Sequence, residues 1–438
     1  MLTALFLLLQ AAPPPTAFVD VTVIALDGSA PLAHQTVLVR DGRIASIGPA
    51  ASTRLARDVR RIEGGGYLLP GFADMHVHLG RDIDLLTYLA NGITTVRNLW
   101  GRPETLRWRD RVADGSLLGP TIVTSGAIID GTPPSVPQMT VITDPSAARA
   151  EVERQHRAGY DFIKVYNSVP AGVYDTITAV ARGLGMPVAG HVPFEVGLRG
   201  ALRAGQRSIE HLRGYIADLV PSDAAVQPGA SLKSRSLAWN YIDRSRIPGL
   251  VAASVAAGVW NCPTLTVTAE LLAPPDEWER LGARPELRYL GSAARFDRSR
   301  LPYLQDFAPE DYREANRGVA AQAALVKALH DVGGRLLAGT DSYLQGFALA
   351  RELEAFEAAG IPREAVLRIA TRDAAEYLGR LDQVGTVTVG KRADLQLLRG
   401  NPLESLAALE GRVGVMAGGR WLARQDLLDR LEEAARSR

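Results

Sequence analysis

Two hydrophobic periodicities trade places along the chain. Near the start, Val19-Asp-Val-Thr-Val-Ile24, Gln35-Thr-Val-Leu-Val-Arg40 and Arg43-Ile-Ala-Ser-Ile47 set apolar residues at every second position. That alternation marks strands with one buried face, and Asp41-Gly42 between the last two runs predicts a hairpin turn. Gly385-Thr-Val-Thr-Val-Gly-Lys-Arg-Ala-Asp394-Leu and Arg412-Val-Gly-Val-Met-Ala-Gly-Gly-Arg-Trp-Leu422 have the same character. Between these flanks, apolar runs at 73–79, 93–99, 121–129, 161–167, 187–192, 208–212, 259–267 and 335–341 predict strands. Stretches of helical period, such as 146–158, 173–184 and 319–332, separate them. Strands alternating with helices in this way predict an α/β fold, a (β/α)8 TIM-like barrel. The expected division is a β-sandwich built from 18–69 and 381–438, outside a barrel at 70–380.

Composition fits that picture. A chain of 438 residues accommodates one barrel with a satellite, since such barrels run to about 250 residues or more as one domain. Hydrophobic residues at 47% supply a large core, and a net charge of +1 gives no footprint for nucleic acid. A single cysteine, Cys262, excludes an intramolecular disulfide framework and reads as core packing. The apolar run Leu2 to Leu9, before Gln10 and Pro13-Pro-Pro15, is too short to span a bilayer but suits an export signal. Residues 1–17 therefore read as a signal peptide of a secreted or periplasmic protein. The mature chain is expected to begin between about residues 12 and 18, just before the first strand. No other run approaches a membrane span.

The polar residues at the ends of the central runs carry the chemistry. On a barrel, functional groups gather at the C-terminal ends of the strands. His76 and His78 in Gly71-Phe-Ala-Asp-Met-His-Val-His78 lie two apart on one strand and so face the same way. Lys164 in Asp161-Phe-Ile-Lys-Val-Tyr166, His191 in Val188-Ala-Gly-His, His211 in Ser208-Ile-Glu-His and Asp341 in Ala338-Gly-Thr-Asp each end another run. Burying any of these alone costs several kcal/mol, by order of magnitude. A shared metal centre compensates all of them, because neutral imidazole and carboxylate are good ligands for zinc-like ions. An ammonium cannot ligate a cation, so Lys164 must be neutral or modified. Such a centre lowers the pKa of bound water and polarises a carbonyl. Asp341 is then placed to move a proton from the attacking water to the leaving amine. Tyr166 shares a face with Lys164 and is a candidate substrate contact. Glu210 faces away from His211 and reads as structural, while His34, His156 and His330 read as surface residues.

This order of residues resembles the amidohydrolase superfamily. It is most similar to the imidazolonepropionase-like and prolidase-like bacterial branch, where Phe-Ile-Lys164-Val-Tyr and Ser-Ile-Glu-His211 have close counterparts. The resemblance covers nearly the whole chain, including the exit from the barrel at Gly385–Leu395. It implies one metal held by His76, His78 and Asp341 and a second held by His191 and His211. A carbamate on Lys164 would bridge them, and the ions are zinc in most members. The implied activity is cleavage of an amide-type C–N bond in a small substrate: a dipeptide, an N-acyl amino acid or a cyclic amide. A homo-oligomer is compatible with this reading.

Two other functions fit parts of the pattern. A one-metal deaminase of a small heterocycle would carry Glu three residues after the strand-five histidine, but that position is Phe194, with Glu195 one step further. A barrel retained only as a scaffold would have lost ligands, whereas all six are present. The segment 268–318, with Trp278, Tyr289, Phe296, Tyr303, Phe307 and Tyr312 among Arg284, Arg288, Arg295, Arg298 and Arg300, suggests a lid for a substrate with an apolar side chain and a carboxylate.

Overall fold

The alternating flanks and the apolar runs separate into different sheets. A computed structural model describes residues 14–290 and 298–436. The N-terminal flank forms β1 (Thr16–Val23), β2 (Leu32–Arg40), β3 (Arg43–Pro49), β4 (Arg60–Ile62) and β5 (Tyr67–Pro70). The central segment supplies β6 (Phe72–Val77), β7 (Ile93–Asn98), β8 (Thr121–Thr124), β9 (Ile129–Asp130), β10 (Thr140–Val141) and β11 (Ile163–Val165). It continues with β12 (Val188–Gly190), β13 (Ser208–Glu210), β14 (Trp260–Cys262) and β15 (Arg335–Leu336). The C-terminal flank adds β16 (Leu395–Leu398), β17 (Arg412–Ala417) and β18 (Arg420–Ala423).

Both flanks join one eight-stranded sheet, ordered β18-β17-β16-β5-β1-β2-β3 with β4 beside β1. The expected sandwich of two sheets is thus a single sheet that curls over itself. Phe18 on β1 meets Trp421 on β18 edge to face, with ring centroids 5.2 Å apart. Those strands are four positions apart in the sheet, which when flat would separate them by about 19 Å. Phe18, Val21, Val37, Leu68, Leu395 and Met416 fill the space between. The link at Gly64-Gly65-Gly66 has φ of 107°, 68° and 104°, values that only glycine adopts freely. A Cβ on Gly66 would also sit 2.5 Å from the Leu398 carbonyl oxygen.

The apolar runs form two all-parallel arcs, β6-β7-β8 and β10-β9-β11-β12-β13-β14-β15. Every residue of β6 and β7 is buried, as expected of parallel strands covered on both faces. Backbone bonds join the arcs at both edges. Met75 N donates to Ala338 O at 2.8 Å and Asp341 N to His76 O at 2.7 Å. At the other edge Asp161 N donates to Thr124 O at 2.9 Å, beside a parallel bridge between Ser125 and Phe162. The expected helices are present as Pro145–Arg157, Ala171–Gly183 and Pro309–Asp331, the last starting ten residues early. A closing helix, Arg424–Arg436, packs Leu427 and Leu431 on Leu86 and Leu89 and ties the flanking sheet to the arcs.

At the N-terminus, β1 begins at Thr16, and Ala17 is fully buried. Residues 1–13 lie outside the described residues. Among the described residues, no helix is long and apolar enough to cross a membrane.

Candidate functional site

The ends of β6, β11, β12, β13 and β15 face one cavity of about 1100 Å³, at the upper end of the range for drug-sized ligands. His76, His78, Lys164, Tyr166, His191, His211 and Asp341 all line it. The structure therefore brings together every site residue expected from the sequence. Ring centroids lie 5.4 Å apart for His76 and His78, 4.7 Å for His76 and His211, and 4.9 Å for His191 and His211. One ligand atom each from His76, His211 and Asp341 fall within 4.8 Å of one another.

Hydrogen bonds fix how three of the imidazoles present themselves. His76 Nδ1 lies 2.9 Å from Glu210 Oε2. A carboxylate only accepts, so Nδ1 carries the proton and the Nε2 lone pair is free. His191 Nδ1 likewise meets Asn167 Oδ1 at 2.7 Å. His211 Nδ1 meets Thr264 Oγ1 at 2.6 Å, and that hydroxyl donates to Pro263 O. His76 Nε2 and His191 Nε2 are both buried with no hydrogen-bond partner among the described residues. Unpartnered buried acceptors are costly, so these atoms call for a ligand. For His78 the pattern differs: Nε2 lies 3.0 Å from Asp341 Oδ1, and Nδ1 is buried without a partner.

Burial pushes His76 and His191 well below the ordinary histidine range, and His211 down to about 3. All three are neutral at physiological pH, the state that binds metal. Burial alone would raise Asp341, but His76, His78 and His211 around it hold it below the usual carboxylate range. Lys164 is buried, with Nζ 5.8 Å from the Tyr166 ring centroid, and burial pulls it down to about 8. Tyr166 stacks on His191 with centroids 3.7 Å apart. The donor set and its orphaned nitrogens fit a divalent cation.

Local backbone explains why these side chains converge. His211, Thr264 and Asp341 follow β13, β14 and β15 with φ of 58°, 51° and 48°. Non-glycine residues avoid this left-handed region, and such strain concentrates at functional sites. Thr264 holds the His211 ring, and His211 and Asp341 line the cavity. Asp74 holds the last of them, accepting from Thr340 Oγ1 at 2.7 Å and Thr340 N at 3.0 Å.

Several supporting residues were not legible in the sequence. Glu210, read as structural, orients His76, a link the sequence did not show, and Arg97 holds it with two bonds of 2.9 and 3.0 Å. Arg97 also donates to Tyr377 Oη, Ser208 Oγ and Met75 O. Asn167 and Thr264 are equally silent without the fold. The strand period points Glu210 away from His211, and the left-handed backbone of His211, φ 58°, is what breaks that period.

The arginine clamp expected from segment 268–318 is not formed by its described residues. Arg288 pairs with Glu432, Arg284 with Glu286, and Arg298 stacks on Trp278 and Tyr312 at 4.3 and 3.9 Å. Of the aromatic residues named there, Tyr303 lines the cavity. Arg295, Phe296 and the side chain of Arg300 lie outside the described residues. Phe194 and Glu195 do not line the cavity either; Glu195 accepts from Ala171 N at the start of a helix. His34 and His156 are exposed and His330 is half-buried, all away from the site.

The profile of the amidohydrolase family matches residues 67–422. The chain belongs to the amidohydrolase family. Its fold is shared by a solved protein assigned as a prolidase in Bifidobacterium longum, at 24% identity over 96% of this chain and 99% of that one, TM-score 0.70. A bottromycin amidohydrolase is 27% identical over 97% of this chain and 90% of its own, TM-score 0.71. A Xaa-Pro dipeptidase with methionine in its active site is 20% identical over 93% and 100%, TM-score 0.69. No curated protein matches the sequence. This amidohydrolase is accordingly an amide-bond hydrolase, in a family whose members typically bind divalent metal.

Proposed function

We propose that this amidohydrolase cleaves an amide-type C–N bond of a dipeptide, N-acyl amino acid or cyclic amide at a centre of two divalent ions, zinc by preference. His76, His78 and Asp341 would hold one ion, and His191 and His211 the other. Lys164 as a carbamate would bridge them. The two parallel arcs then act as one (β/α)8 barrel at 70–380, flanked by 18–69 and 381–438, in an exported protein.

One observation carries this reading: His76 and His191 have Nδ1 tied to an acceptor and Nε2 buried, unpartnered and directed at a shared cavity. Lys164 supports the bridge, because a buried amine beside cations is driven to its neutral form, which reacts with carbon dioxide. The resulting anion offsets charge that one Asp cannot balance. The ions would supply Lewis acidity toward the carbonyl and an acidified water. The chain's own groups do the rest. Asp341, ionised and 3.0 Å from His78 Nε2, takes the proton of the attacking water and returns it to the leaving nitrogen. Tyr166, stacked on His191, lies where substrate must enter.

Lys164→Ala tests the bridge. It should lose bound metal and activity together, and small carboxylates such as acetate should partly restore both. A wild-type enzyme fully active with one ion, and unchanged in rate by Lys164→Ala, would contradict it. Screening the metal-loaded enzyme on dipeptides, N-acyl amino acids and lactams defines the substrate. Ammonia release from amino-substituted heterocycles would point instead to a deaminase.

A further inference from the structure

Two half-buried guanidinium groups at this cavity have no carboxylate partner among the described residues. Arg213 follows His211 by two residues, and Arg235 lies on the short helix Leu232–Ala238. Both line the cavity. Neither makes an ion pair among the described residues, and both have a buried Nε without a partner. Arg235 bonds only the carbonyl oxygens of Gly229 and Ala230 and stacks over Phe194 at 5.6 Å. By contrast, Arg97 is paired with Glu210 and Arg351 with Glu270.

The carboxylates that share the cavity do not supply the missing charge. Asp341 is engaged by His76, His78 and His211, and Asp306 is exposed at the rim. Burial and the neighbouring Arg213 press Arg235 down to about 8. Since an arginine stays charged in proteins, that burden is relieved by an anion and not by deprotonation. The same cavity is lined by the apolar side chains of Val136, Met139, Leu232, Val267, Leu271 and Leu301. The nearby negative charge of Asp341 favours a monoanion over a dianion such as phosphate.

We propose that Arg213 and Arg235 form a carboxylate subsite, so that the substrates are amides bearing a free carboxylate and an apolar group. This rests on the hydrolytic reading above for the reaction, but not for the binding. Guanidinium pairs grip carboxylates through paired charged hydrogen bonds, each of which discriminates by about 10- to 100-fold.

The test uses matched pairs such as N-benzoyl-leucine and N-benzoyl-leucinamide on the metal-loaded enzyme, read by kcat/KM and by calorimetric binding. Wild type should favour the acid, and Arg235→Gln should lower the acid-to-carboxamide ratio by about 10- to 100-fold. Arg235→Lys, which keeps the charge without the fork, should fall between, and Arg213→Gln should act in the same direction. Equal use and binding of acid and carboxamide by wild type would overturn the subsite while leaving the hydrolase reading intact. Loss of both substrates in equal proportion in every variant would overturn it too, as would tighter binding of inorganic phosphate than of the acids. Arg235-dependent binding of acids with no cleavage of any amide would uphold the subsite and sink the hydrolytic reading.

Discussion

Among single residues, those that hold the histidines are as informative as the histidines. Asn167 and Thr264 each occupy Nδ1 of one ring, and losing such a partner typically costs about 10–100-fold in metal affinity. Asn167→Ala is expected to weaken metal binding by that factor, measured by competition with a chelator, while the melting temperature of the metal-free protein stays near wild type. Glu210 behaves differently because Arg97 depends on it. Removing one partner of a buried pair costs about 3–5 kcal/mol, so Glu210→Gln should lose both metal and stability. Asp341→Asn should keep the fold and lower kcat by about 10²–10⁴-fold; near-normal turnover would place the proton shuttle elsewhere. The candidate ligands were readable because each ends an apolar run, where a buried polar group needs a reason. Asn167, Thr264 and Arg97 were not, since nothing in local pattern says which ring they will meet.

At the scale of elements, strand ends do the positioning and caps secure them. Glu352 accepts from Leu265 N at 3.0 Å and Thr266 N at 2.7 Å, at the start of the helix Leu265–Leu271. Thr264, which holds His211, sits immediately before. Glu352→Ala leaves two buried donors unsatisfied, at about 1–3 kcal/mol each, and should lower both melting temperature and metal affinity. Burial pushes Glu352 up to about 7, with Asp74 adding to the shift. The folded chain therefore keeps this proton to higher pH than the unfolded chain does. Its contribution to stability is present below the ordinary carboxyl range and declines as pH rises through about 7. In Glu352→Gln, that part of the fall of melting temperature with pH should disappear. The central strands were legible because parallel strands buried on both faces read as apolar runs. The closing helix Arg424–Arg436 was missed, since its polar face dominates its composition. The curled sheet was read as a sandwich because alternation reports which face is buried, not how many sheets share the strands.

For the whole molecule, the site joins elements far apart in sequence: β6 and β15 at one edge of the arcs, β11, β12 and β13 across from them. A ligand bound only by the folded state stabilises it, by about 4 kcal/mol at a thousandfold excess over its dissociation constant. Chelation should therefore lower the melting temperature as well as abolish activity, and Lys164→Ala should show the smaller shift. That the six candidate ligands share one cavity was legible from the sequence because each ends a strand-like run. Arg213 and Arg235 were not, because long connections carry no period that says which side chains turn inward.

The most direct measurement is a metal titration of the chelated enzyme, with bound ion per chain and amide hydrolysis followed together. Activity should return in step with binding and reach its full value at about two ions per chain, the arrangement expected of a paired site. Full activity in protein that holds no ion, or already reached at one ion per chain, would contradict the account.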